Sequence, residues 1–156
     1  TGVALPAEPS EPLHAPSAAG RALLLAGAAT ALLGVLLLPL ATVQVRPDPV
    51  PVHVFDGGVV GGAAWCAACL LAVGLGLPGS RRSLSPGRWE ALLGLLVLWL
   101  GIALAGHLDP HVLLGGLFSS DLAPASGGDV LVAGVLIMLA GAMLLRPSPL
   151  RRPRDG

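Results

Sequence analysis

Two groups of side chains in this chain of 156 residues have the types and spacing that chemistry uses. The first is Cys66-Ala67-Ala68-Cys69, preceded by Trp65, which holds both cysteines of the chain. That spacing is the one in which a low-pKa thiolate attacks a disulfide. The second group is His53 and Asp56, followed much later in the chain by His107, Asp109 and His111. Two or three imidazoles with a carboxylate suit zinc or copper. His107 and His111 are spaced as helical neighbours, although Pro110 argues against one helix running through both. A haem held between helices needs histidines inside facing spans, and only His107 comes near such a position.

The elements that must position these residues are apolar. Hydrophobic residues make up 54% of the chain before its 22 glycines are counted, well above a soluble domain, so the solvent around this protein is lipid. Runs at 22–43, 57–77, 89–108 and 129–145 each approach the roughly 20 apolar residues that cross a bilayer as a helix. The expected fold is therefore an all-α membrane protein, a four transmembrane helix bundle. Cys66 then lies roughly 15 Å along its helix from Asp56, near the bilayer midplane. Thiols at that depth behave as small hydrophobes, which favours packing over redox work for Cys66 and Cys69.

With four spans, both termini on one side and a CxxC on the second span, the layout resembles that of the quinone-coupled, disulfide-generating membrane oxidases. The resemblance covers the topology and Cys66 and Cys69, and it implies thiol oxidation at that pair. Members of that family carry a second cysteine pair in an outer loop, and this chain has no further cysteine.

Residues 1–21 read as a flexible Pro-rich tail, with Pro6, Pro9, Pro12 and Pro16 interrupting any helix, and 146–156 as an Arg- and Pro-rich tail. Valines alternate with polar residues and proline around Arg46-Pro47-Asp48-Pro49, which predicts a short extended segment in the first outer loop. The loop at 78–88 is turn-rich, and the apolar stretch 111–118 is too short to cross and reads as an interfacial or re-entrant element. Arg21, Arg81, Arg82, Arg88, Arg146, Arg151, Arg152 and Arg154 fall on one side of the four-span arrangement, and Arg46 alone on the other. The positive-inside rule then makes both termini cytoplasmic. Abundant Ala, Gly, Pro, Leu and Arg, with no Lys, Asn or Tyr, is the usage of a GC-rich bacterium, so the expected location is the bacterial cytoplasmic membrane.

Small residues at helical spacing mark faces where backbones approach closely: Ala26, Thr30 and Gly34; Gly58, Gly62 and Cys69, with the one bulky ring of Trp65 among them; Gly94 and Gly101; Gly134 and Gly141. The segment 57–77 has the longest such seam, continuing through Ala72 and Gly76, and is expected to be the helix against which others dock. No ionisable residue falls inside a span, where transport pathways place theirs; Glu90, Asp56, Asp129 and His107 sit at span ends, Asp56 and Asp129 as N-caps. A formal net charge of zero gives no pull toward nucleic acid. The expected role is a non-catalytic accessory or scaffold subunit of a larger membrane complex, with lipid and other integral membrane subunits as partners and no cofactor. The alternative is a membrane oxidoreductase or metal-handling protein using the outer histidines or the cysteine pair.

Overall fold

The structure is a computed structural model that describes residues 18–43, 48–57, 59–77, 84–114 and 122–147. The predicted tails before Ala18 and after Pro147, the arginines at Arg46, Arg81, Arg82, Arg151, Arg152 and Arg154, the packing residue Gly58, and the part of 111–118 beyond Leu114 lie outside the described residues.

Four long helices dominate: α1 at Ala18–Leu36, α2 at Val59–Gly76, α3 at Pro86–Leu108 and α5 at Ser126–Leu144, with the short α4 at Pro110–Leu114 between the last two. Three of them, α1, α3 and α5, are long and apolar enough to cross a membrane, and α2 is apolar over Gly61–Gly76. Their outward faces carry exposed Leu33, Leu70, Val97, Leu98 and Leu136, while no polar or charged residue is buried among the described residues. A helix apolar on all sides belongs in lipid or a large core.

The frame of the molecule is the antiparallel pair α1–α5. Glycines recur every two turns on both helices, Gly20, Gly27 and Gly34 on one and Gly127, Gly134 and Gly141 on the other, and all six are buried. A Cβ placed at Gly27 would stand 2.6 Å from the Gly134 carbonyl oxygen; at Gly34 it would be 3.0 Å from that of Gly127, and at Gly141 2.7 Å from that of Gly20. The two backbones therefore touch, and the glycine hydrogens occupying those positions point at carbonyl oxygens of the opposite helix. Such Cα–H···O contacts recur where helices meet closely, each contributing about 0.5–1 kcal/mol. In lipid, with no hydrophobic effect to drive helices together, close packing of this kind is what associates them.

The same pairing continues past the helices. Pro39, lacking an N–H, ends α1, and its carbonyl accepts from Gly127 N–H at 2.9 Å, satisfying one of the free donors at the start of α5. Ala125 N–H donates to Leu40 O at 3.1 Å. Strand β1 (Ala41–Val43) then pairs with β3 (Leu122–Pro124) on one side and β2 (Val50–Val52) on the other, both antiparallel, in the order β2-β1-β3. Ala41 faces Pro124, Ala31 faces Gly134 and Leu24 faces Gly141, so strand and helix keep one register. Pro51 and Pro124 both fall on edge strands, where a missing N–H is tolerated.

Helices α2 and α3 pack on this frame, each antiparallel to its neighbours. On α2 the buried face is Gly62, Trp65, Cys69, Ala72 and Gly76; Gly62 lies beneath the Phe55 ring and Gly76 beneath Leu24. On α3 it is Leu92, Leu96, Trp99, Ala103 and Gly106. The Trp65 and Trp99 rings stack with centroids 5.3 Å apart at 18°. Leu84, only 4% exposed, anchors the approach to α3, whose N-cap is Ser85 with Pro86 in the first turn.

Several expectations change. The fold is mostly helical and has an extended segment in the first loop, as expected, but that segment joins a sheet that also takes a strand from before Ser126. The first span does not run to Val43, since Pro39 ends it and Ala41–Val43 is β1. The third begins at Pro86 rather than Trp89, and the last at Ser126 rather than Asp129, so Asp129 lies in the first turn and Ala125 is the N-cap. On α1, Ala26 is exposed and Thr30 turns its Oγ1 back to donate to Ala26 O at 2.9 Å, so the packing face is that of Gly20, Gly27 and Gly34. Among the described residues Gly94 and Gly101 are not packed either, with no neighbouring element near the position of a Cβ. The segment 57–77 is a flank, and the docking frame is α1–α5.

The geometry predicts opposite outcomes for two glycine substitutions. Gly134→Leu, which drives side-chain atoms toward Ala31 Cα at 2.8 Å, should destabilise by about 3 kcal/mol or more. Gly101→Leu should leave thermal unfolding in detergent close to that of the parent protein. Equal losses at both positions would contradict the assignment of the frame.

Candidate functional site

Cys66 and Cys69 are free thiols one turn apart on α2; Cys69 is 1% exposed against the core, and Cys66 is half-buried. Trp65 lies one turn before Cys69 on the same face, with its ring held by Trp99. Nothing charged or basic faces the pair among the described residues, so no group is in place to stabilise a thiolate.

The histidines separate. His53 immediately precedes the 3-10 turn Val54–Gly57: its N–H donates to Asp56 Oδ2 at 2.7 Å, and its Nδ1 stands 3.7 Å from the same oxygen. Asp56 caps this turn through a backbone N–H, as short polar side chains do at turns. His107 lies in the last turn of α3 with its Nδ1 3.5 Å from Asp129 Oδ1, in the first turn of α5. That places an acid at a helix N-terminus, where a negative charge is favourable to the helix dipole. Nδ1 of His107 is itself buried and makes no hydrogen bond among the described residues. Asp109 is the C-cap of α3, and its Oδ1 accepts from His111 N–H at 3.0 Å, turning the chain into α4. Among the described residues no three His, Cys, Asp or Glu side chains come together as a metal-binding group. The two predicted groups thus resolve into one free thiol pair and separate His–Asp pairs.

What the structure does assemble is a continuous outward face on α2 and α3. Gly87, Gly94 and Gly101 recur on α3 every two turns, the interval used by the glycines of α1 and α5, and all three have open space where a Cβ would stand. This stripe lies opposite the buried face of Leu92, Leu96 and Ala103. Beside it a groove of about 330 Å³ runs between the two helices, lined by Gly61, Ala64, Ala68, Leu95 and Ile102 and floored by the Trp65–Trp99 stack. Leu98, 64% exposed, stands between stripe and groove. The groove was not expected from the sequence, because it arises from the juxtaposition of small α2 residues with bulky α3 ones. Its lining is apolar, so it can hold hydrocarbon or an apolar side chain and offers no group for bond making.

Comparison with protein families, with curated proteins and with solved structures finds no match for this chain.

The burial pattern orders thiol reactivity. In detergent solution Cys66 should be alkylated by a small maleimide well before Cys69, with the difference lost on denaturation; mass spectrometry of labelled peptides reads both rates. Comparable rates in the folded protein would contradict the placement of Cys69 in the core.

Proposed function

We propose that this protein is a four-span integral membrane subunit, a four-helix bundle with α2 as the fourth span, that serves as a non-catalytic accessory or scaffold in a larger membrane complex. The observation that carries the reading is the glycine stripe of α3. Glycine repeats with the same interval bring α1 and α5 into backbone contact, and a third repeat stands open on a helix apolar enough to span. A partner helix laid along Gly87, Gly94 and Gly101 would gain the same close approach, and Leu98 and Ile102 would give it edges to pack against.

Orientation follows from charge. Arg21, Arg88 and Arg146 stand at one end of the helices, which supports cytoplasmic termini in a bacterial cytoplasmic membrane. Redox or metal chemistry at Cys66 and Cys69, or at His53, His107, Asp109 and His111, has no comparable support in the geometry of the described residues.

A photo-crosslinking residue in place of Leu98, activated in intact membranes, should capture another integral membrane protein, and one in place of Leu33 on α1 should not. The double variant Gly94→Leu with Gly101→Leu should lose that adduct while unfolding at the parent's temperature. Adducts with lipid alone, or a protein adduct that survives the double substitution, would overturn the reading.

A further inference from the structure

The helix ends sort the described charges. Arg21, Arg88 and Arg146 stand where α1 and α3 begin and α5 finishes, while Asp56, Asp109 and Asp129 stand at the opposite end. At the arginine end Trp89 is the organising group. Its Nε1 donates to Ala142 O at 2.9 Å, fixing the first turn of α3 against the last of α5. The Arg146 guanidinium lies over the Trp89 ring, 5.9 Å from its centroid, a cation–π placement that holds the cation in position. Arg88, next in sequence to Trp89, donates one N–H to Gly74 O at 3.0 Å and so ties α3 to α2. Arg21 projects from the turn of α1 whose Gly20 carbonyl meets Gly141, and its Nε is buried without a hydrogen bond among the described residues.

Among the described residues these cations are not matched by acids. Glu90, exposed, is the one carboxylate at this end among the described residues, and no arginine there forms an ion pair with a carboxylate among those residues. A guanidinium presents five donors in a planar fork that fits a phosphate with two parallel hydrogen bonds. Among the described residues, one hydrogen bond on Arg88 and a ring contact on Arg146 leave most of that capacity unused. Immediately below the arginines the helix surfaces are hydrocarbon-like, with Leu25 of α1 and Met143 and Leu144 of α5 exposed. Cations at the rim of an apolar surface, with a tryptophan among them, stand at headgroup level.

We propose that Arg88 and Arg146, held around Trp89, form a site for the phosphate of an anionic membrane phospholipid, its acyl chains lying along the apolar helix surface below. The proposal rests on the reading that these helices span a membrane. A zwitterionic lipid offers the same phosphate but carries its own ammonium, so it competes poorly for guanidinium groups that no described carboxylate pairs with.

The test uses the full chain in a mild non-ionic detergent, titrated with short-chain phosphatidylglycerol, with phosphatidylcholine of equal chain length, and with inorganic phosphate, with binding read by native mass spectrometry and by the shift in thermal unfolding. Phosphatidylglycerol should bind roughly tenfold or more tightly than phosphatidylcholine, and the preference should fall as salt is raised. Arg88→Gln with Arg146→Gln should abolish the preference. Arg88→Lys with Arg146→Lys, which keeps the charge and removes the fork, guards against a misfolded glutamine variant and should give a partial loss. Equal binding of the two lipids, or a preference that survives either double substitution unchanged, would overturn the site. Inorganic phosphate binding as well as phosphatidylglycerol would overturn the lipid as its occupant. Resistance of the chain to alkaline extraction from membranes tests the spanning premise separately. A protein retained in the membrane without lipid preference loses only this site.

Discussion

The constraint on which the structure depends is the contact of backbone with backbone between α1 and α5. In water, apolar side chains would hold such helices roughly 8–10 Å apart and the hydrophobic effect would pay for the association. In lipid that driving force is absent, and what remains is dispersion, whose strength depends on how many atoms reach contact distance. Six glycines at two-turn intervals remove the side chains that would prevent contact, and their hydrogens meet carbonyl oxygens across the pair. The register this imposes is carried into the sheet without a slip, so the β1–β3 pairing is the same contact continued after the helices end.

The rest of the molecule follows from that pair. Because α1 and α5 use their glycine faces on each other, α2 and α3 must pack through larger groups: the stacked Trp65 and Trp99, Leu92, Leu96 and Cys69. Cross-links at the helix ends then fix the flanks, Arg88 to Gly74 and Trp89 to Ala142 on one side, His107 beside Asp129 on the other. The glycine repeat of α3 faces away from all of this. It is the same device without a user among the described residues, and for that reason the proposed role centres on it rather than on the cysteines or histidines.

Much of this was legible in the residues, and the failures have physical causes. The seam of Gly62, Trp65, Cys69, Ala72 and Gly76 steps by three and four, the period of a helix, and those residues are buried together. On α1, size alone suggested Ala26, Thr30 and Gly34, whereas an antiparallel pair brings backbones closest every two turns, so the seven-residue interval through Gly20 and Gly27 decides the face. Gly94 and Gly101 passed the size criterion too, but their phase opposes Leu92, Leu96, Trp99 and Ala103, a signal present in the sequence. Pro39 announced the end of α1, yet the apolar Ala41–Val43 read on as helix. Its pairing with Leu122–Pro124 joins segments far apart in the chain, which local pattern cannot reveal.

The register of α1 against α5 is the claim that everything else presupposes, and paired spin labels test it most directly. With Cys66 and Cys69 replaced by alanine, labels are placed at Ala22 with Met143, at Ala29 with Leu136, and at Leu36 with Asp129, all exposed positions separated by two turns along each helix. Pulsed dipolar spectroscopy in a bilayer should return one short separation common to all three pairs. Separations that widen from one end to the other, or broad distributions at every level, would contradict the glycine-lined frame.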